Sequence, residues 1–423
     1  MVDRDALATV VAAGPSASWR IQVLPARPFN PLGLLANQCI WPRCYWRSRD
    51  GRHELVALGS AAVASTLEAA QHLLDALPSA SAPLLVGGLA FDGEQPQWPD
   101  FPAVHLFLPQ LLWQRQGERW RLVVAIAPGE PGQAQAERLL EQLVIDDQLP
   151  AHDHRGCRQS VLPDRQRWGE WVARSLASPA LAKVVLARLS TVHLTAPANP
   201  WALLAQWQAA VPNSYPFAVA LGPRTSFIGC SPERLFARCG RELLTEALAG
   251  TVAFGGDARA AAAELTGDDK IRLENELVAQ DIVSRLIPLS HHWQIGAAEI
   301  NPLVDVAHLR RPIRAELQPG VSDASLLRIL HPTPAVGGSP RAAALAHIRS
   351  LEDYPRGWYA GAVGYLGHDH SEMVVAIRSA LVEDRLLHLF AGVGLVQGSD
   401  ADSEWQELNH KVTTLLKLLG LSR

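Results

Sequence analysis

Cysteine is scarce, at five residues in 423, and no two of them form a CxxC pair. An odd set (Cys39, Cys44, Cys157, Cys230, Cys239) without zinc-type spacing implies neither a disulfide framework nor a structural metal site, and fits a reducing cytosol. No apolar run reaches membrane-spanning length, and the opening Met1-Val-Asp-Arg-Asp lacks the apolar core of a secretion signal, so a cytoplasmic protein with no membrane partner is expected. A net charge of −4 with both signs interspersed, and no Lys/Arg run, argues against nucleic acid as the main partner. Internal repeats and low-complexity segments are also missing.

What the chain does have is apolar bulk. With 48% hydrophobic residues it can build a large core, and its length exceeds that at which single cores usually divide. One large α+β unit and two intimate lobes are both open on this ground. Residues 1–160 read as an antiparallel scaffold of short β-type runs separated by Gly, Pro, Asp and Asn turns, such as Arg49-Asp-Gly-Arg, with a helix over 61–77. Its tryptophans, among them Trp46, Trp98 and Trp113, read as sheet core. From Lys183 the chain alternates strands and helices: a buried strand over 184–188, a helix over 201–210 behind Asn199-Pro200, and a helix over 270–287. Helices are also expected over 302–310, 324–329 and 342–351. His331-Pro-Thr-Pro-Ala-Val-Gly-Gly-Ser-Pro340 must be a loop. The end reads as a meander with a strand over 372–380, then a helix opened by the capping box Ser403-x-x-Gln406 and stopped at Gly420.

Acidic residues gather where an ordinary core would not want them, at Glu233 after a Pro, Glu274 on an apolar helix, and Glu404 and Glu407 on the last helix. Glu274 and Glu407 read either as dipole-compensating surface groups or as oxygen ligands; without His or Cys beside them, such ligands suit Mg²⁺, which takes few carboxylates and keeps waters and substrate oxygens. Lys183 is either a lysine snorkelling off a strand end or a desolvated amine able to act as a base. Glu233 either pairs with Arg234 or, desolvated, keeps its proton and acts as an acid. Arg378 inside Met373-Val-Val-Ala-Ile-Arg-Ser-Ala needs an acidic partner or a ligand. Lys411 follows Glu407 by one helical turn, and Gly392-Val-Gly394 lets backbone amides approach an anion.

Together these segments resemble the chorismate-utilising enzymes, specifically the isochorismate synthases. The resemblance rests on Lys183-Val-Val-Leu-Ala-Arg188, Ser231-Pro-Glu233, Thr245-Glu-Ala-Leu-Ala-Gly-Thr251, Lys270-x-x-x-Glu274-x-Glu276-Leu, His331-Pro-Thr-Pro-Ala335, Ala376-Ile-Arg378, Ala391-Gly-x-Gly394 and Glu404-Trp-x-Glu407-x-x-x-Lys411, in the family's order. Residues 1–160 match more loosely, and 161–423 are taken as the chorismate-binding part of the same fold.

The resemblance implies a single large α+β domain of two stacked, mainly antiparallel sheets wrapped by helices. It implies Lys183 as the base that activates water and Glu233 as the acid. Mg²⁺ would be held by Glu274 and Glu407, with Glu404 acting through a water. Arg378, Lys411, Gly392 and Gly394 would anchor the side-chain carboxylate of chorismate, while Ala249, Gly250, Thr251 and His331 would line its ring. A lysine at position 183, and the lack of a Leu-Leu-Glu-Ser motif, set the chain apart from ammonia-using relatives, so no glutamine amidotransferase subunit is expected. A monomer or weak homodimer is anticipated, and the menaquinone branch is favoured over the siderophore branch. Salicylate synthase and an inactive chorismate-binding subunit are the competing readings.

Overall fold

The computed structural model describes residues 1, 3–254, 257–302 and 306–421. Among these residues twenty strands form one hydrogen-bonded network in which all pairs run antiparallel. The network consists of two ladders that share the strand Val104–Gln116. Residues 111–116 of that strand pair with both His53–Ala64 and Arg119–Ile126, whereas 104–107 pair with Leu84–Leu89. One ladder continues from His53–Ala64 through Arg43–Arg47, Tyr215–Ala220, Thr225–Ser231, Ser379–Glu383 and Leu386–Leu395 to Lys183–Leu194. The other runs from Leu84–Leu89 through Ala362–Gly367, His370–Val375, Arg234–Cys239 and Glu242–Ala253 to Val306–Leu317. The two sheets implied by the resemblance are thus continuous through one strand. Aromatic rings fill the space between them: Tyr365 of the second ladder lies 5.2 Å from Trp46 and 5.1 Å from His53 of the first.

Near the site the chain passes from ladder to ladder twice. Thr225–Ser231 belongs to the first and Arg234–Cys239 to the second, so the crossing falls at Pro232-Glu233. The return falls at Ala376-Ile-Arg378, between His370–Val375 and Ser379–Glu383. The run over 372–380 is therefore two strands, and Arg378 stands in the break with φ +51°. Each crossing braces the other: Val375 N donates to Glu233 O and Cys230 N to Arg378 O, both at 3.0 Å, and Ser231 Oγ donates to Val375 O at 2.6 Å.

Three further element expectations need correction. The helix over 61–77 is shorter, Leu67–Asp75, capped by Thr66; residues 61–64 extend the preceding strand, where pairing with 106–108 outweighs the helix propensity of alanine. The helix over 302–310 does not form in the described part; Glu299–Pro302 and Val306–Leu317 are strands, and 303–305 lie outside the described residues. The last helix, Ala401–Leu418, starts before Ser403: Asp400 is the cap, its Oδ1 accepting from Ser403 N at 2.9 Å. Gly420 ends the helical stretch with φ +70°.

Candidate active site

Lys183 opens the strand Lys183–Leu194, and its side chain has no solvent exposure. On one side that strand pairs with Leu386–Leu395. On the other, Gly338–Ser339 pairs with its first two residues, and a fully buried ion pair then takes over from a neighbouring strand: Glu352 Oε1 accepts from Ala187 N at 2.8 Å, while Arg356 Nη2 donates to Val185 O at 2.7 Å. The base candidate therefore sits on a fixed backbone.

Lys183 Nζ lies 2.9 Å from Glu274 Oε1, so two residues that the sequence treats as separate actors meet as an ion pair. Glu274 is carried by the helix Asp269–Leu286, where it is only partly buried; Leu273 beside it is 53% exposed, contrary to the apolar surround that the sequence suggests. The next residue, Asn275, is fully buried and ties the helix to the sheet. Its Nδ2 donates to Leu309 O at 2.9 Å and lies 3.2 Å from Ala249 O and 3.3 Å from Ala247 O. Sequence reasoning passed over this residue, although a short polar side chain between two glutamates in a helix interior is a signal, since such a residue is unfavourable there unless it bonds elsewhere.

The last helix supplies Glu404, Glu407 and Lys411. Glu404 is buried, and Lys411 Nζ lies 2.6 Å from Glu407 Oε1 and donates to Gly392 O at 2.9 Å. Arg378 Nη1 donates to Lys411 O at 3.2 Å. The two glycines also lack side chains at positions where neighbours come close. A Cβ on Gly392 would meet the Tyr359 hydroxyl at 2.9 Å, and one on Gly394 would meet Glu274 Oε1 at 2.5 Å and Lys183 Cε at 2.8 Å. Their absent side chains make room for those groups.

A cavity of about 420 Å³ opens among these elements. Glu233, Glu274, Glu404 and Glu407 line it, as do Arg378 and Lys411, with Ala249, Gly250, Gly392 and Gly394 in the wall. Lys183 lies behind the wall at Gly394. Gly250, at φ +84°, belongs to a bulge where the register with Val306–Leu317 shifts between Leu248 and Thr251; a Cβ there would meet Ile271 Cγ2 at 2.5 Å. The side chain of Thr251 lies outside the described ones. His331 is not on the wall: it is buried with Nε2 3.0 Å from Ala90 O, and burial pulls its imidazole down to about 4. The structure adds His308 and Tyr359 to the lining, neither of which stood out in sequence. His308 is opposite Thr251 in the strand that was read as a helix. Burial, then Arg378 and Lys411, hold its imidazole well below the usual range.

Burial pushes the Glu233 carboxyl up to about 8; the carboxylate of Glu246 adds to the rise, while Lys183, Arg49 and Lys411 oppose it. Arg234 is not its partner, because Arg234 Nε donates to Glu372 at 2.8 Å. A carboxyl on the cavity wall that keeps its proton near neutral pH can deliver that proton to a leaving group. Three carboxylates on one cavity are an all-oxygen donor set. Among the described residues no three His, Cys, Asp or Glu side chains already form a metal cage. An all-oxygen donor set of this kind suits a hard cation such as Mg²⁺, with water or an anionic ligand completing the shell.

Comparison with known proteins shows the family. The chorismate binding enzyme family matches residues 12–420. Isochorismate synthase MenF of Escherichia coli is 36% identical over 403 residues, covering 93% of this chain and 91% of that protein. A salicylate biosynthesis isochorismate synthase of Pseudomonas aeruginosa is 36% identical over 357 residues, covering 80% and 75%. The solved menaquinone-specific isochorismate synthase of Escherichia coli superposes with a TM-score of 0.91 at 34% identity over 98% of both chains. Anthranilate synthase component I of Streptococcus pneumoniae, at 19% identity and a TM-score of 0.69 over 94% of this chain and 92% of that one, shares the fold. The chain belongs to the chorismate-binding enzyme family and, within it, to the isochorismate synthases.

Proposed function

We propose that this protein converts chorismate to isochorismate in the cytoplasm, with Mg²⁺, in the menaquinone branch of chorismate use. The observation that carries the reading is Glu233: a carboxyl kept protonated to about pH 8, on the wall of a cavity that also holds Arg378 and Lys411. Water adds at C2 of the ring and gives its proton to Lys183, which acts as the neutral amine and so has to be released from its ion pair with Glu274. The ring double bonds shift, and the C4–O bond breaks as Glu233 protonates the departing hydroxyl, which leaves as water. One proton is taken up and one released, so the net reaction is an isomerisation, and the similar bonding of substrate and product makes it reversible. Arg378 and Lys411 hold the side-chain carboxylate. Mg²⁺ would be held by Glu274 and Glu407, with Glu404 through a water, and when bound supplies positive charge against the ring carboxylate.

Water as nucleophile removes the need for an amidotransferase subunit. Five free cysteines suit a reducing compartment. The menaquinone assignment draws on the longer coverage of the menaquinone-type relatives over that of the salicylate-pathway relative. Incubation of the purified protein with chorismate and Mg²⁺, followed by chromatography, is expected to yield isochorismate. Salicylate plus pyruvate would overturn the choice within the family, and unconsumed chorismate would overturn the activity.

A further inference from the structure

The peptide that carries Glu233 is gripped on both sides by one ion pair. Arg49, in the turn after Arg43–Arg47, donates through Nη2 to Pro232 O, the carbonyl before the acid. The same guanidinium binds both carboxylate oxygens of Glu246. Glu246 Oε1 in turn accepts the amide N–H of Arg234, the residue after the acid, at 2.9 Å. Arg310 Nη1 stands 3.5 Å from Glu246 Oε2. The Glu246 side chain is 3% exposed and that of Arg49 15%, so this is a largely desolvated pair bonded through both terminal guanidinium nitrogens, not a surface contact. Sequence reading saw Arg49 as a turn residue and Glu246 as a motif position without a role.

We infer that Arg49 and Glu246 are positioning residues for Glu233: the pair clamps the peptide on either side of the acid and sets a fixed negative charge beside it. The clamp is built where the chain leaves one ladder for the other: Val375 N holds Glu233 O there, and the clamp holds the carbonyl before the acid and the amide after it. Its charge matters because a nearby anion disfavours ionisation of a second carboxyl. Burial is the largest influence that holds the proton on Glu233; Glu246 adds to it, and Lys183, Arg49 and Lys411 oppose it. The inference rests on Glu233 acting as the acid of the proposed reaction.

The test is the pH profile of kcat/KM for chorismate, whose falling limb at high pH reports loss of the Glu233 proton. Glu246→Gln keeps an oxygen for the Arg234 N–H and removes the charge. Its limb is expected about one pH unit lower than wild type, with turnover above the limb reduced about tenfold and KM nearly unchanged. Glu246→Asp keeps the charge and should leave the limb near its wild-type place. Arg49→Gln removes a cation, so its limb should move up while kcat falls through loss of the grip on Pro232 O. An unmoved or raised limb in Glu246→Gln overturns the inference; if that variant does not fold, an unmoved or lowered limb in Arg49→Gln does so. The infrared carbonyl band of the Glu233 carboxyl, assigned by its loss in Glu233→Gln, should titrate at lower pH in Glu246→Gln whatever the turnover. A wild-type protein inert towards chorismate would refute the proposed function, and the infrared titration would still decide the clamp.

Discussion

Gly394 shows how much of the site depends on an atom that is missing. The Lys183 amine and the Glu274 carboxylate approach its Cα from the same side, and a methyl group there would lie 2.5 Å from the carboxylate oxygen. Both neighbours are flexible side chains that can shift, but the shift displaces the buried lysine and its partner glutamate from each other. Gly394→Ala should therefore fold but lose about a hundredfold or more in kcat/KM, as expected when reacting groups are displaced by about an ångström. Steady-state kinetics beside a thermal melt would check this, and near-normal kcat/KM would contradict it.

Glu233 gives a stability prediction of definite sign. Burial pushes its carboxyl up from the ordinary 4.5 to about 8, so the folded state binds the proton more tightly than the unfolded state. Its stabilising contribution is complete below pH 4.5 and is lost as pH rises through about 8. Glu233→Gln removes that loss. The melting temperature of the variant relative to wild type should rise from pH 5 to about pH 8 and level off above it in a differential scanning series, while turnover falls by about 10²-fold or more. A constant difference in melting temperature would show that burial does not govern this group.

At the scale of elements, the sequence was readable where local chemistry decides the structure. Asn199-Pro200 starts a helix as caps do, and the helix Ala401–Leu418 sets Glu404, Glu407 and Lys411 along one face by periodicity alone. It was unreadable where distant partners decide. Met373-Val-Val-Ala-Ile-Arg-Ser-Ala looks like one strand because the residues on either side of the break are buried, so no alternation marks the crossing at Arg378. Val306–Leu317 alternates only over 313–317; the half that bears His308 has no such period, and its pairing with Glu242–Ala253 is non-local. The site residues carried by short motifs were legible; His308 and Asn275, defined by what lies across a sheet, were not. Asn275 is the sharper case, since it joins the Glu274 helix to the carbonyls of the Gly250 bulge. Asn275→Leu leaves buried carbonyls without a donor, at a cost of about 1–3 kcal/mol. A lower urea midpoint at unchanged slope would measure it. Because the helix carries Glu274, kcat/KM should fall under conditions where the variant is still fully folded; unchanged kinetics would mean that the latch serves stability alone.

For the molecule as a whole, the ladders decide how residues 1–160 relate to the rest. Arg43–Arg47 lies between His53–Ala64 and Tyr215–Ala220, and Leu84–Leu89 lies between Val104–Gln116 and Ala362–Gly367. Both strands are interior members with partners from both parts of the chain, and the strand that joins the ladders lies before residue 161. Arg49 makes the same point at the site, since the clamp on Glu233 comes from the first part while the acid belongs to the second. Cutting the chain there would expose two long sheet edges and the aromatic layer between the ladders, which favours aggregation over an independent core. The full chain should therefore unfold in urea as one cooperative step, with fluorescence from its thirteen tryptophans and far-ultraviolet circular dichroism giving coincident midpoints. The fragment 161–423 should be insoluble and inactive. Two separated transitions, or a soluble fragment that still turns over chorismate, would mean that the shared strands are a convenience of packing rather than the structure on which the site depends.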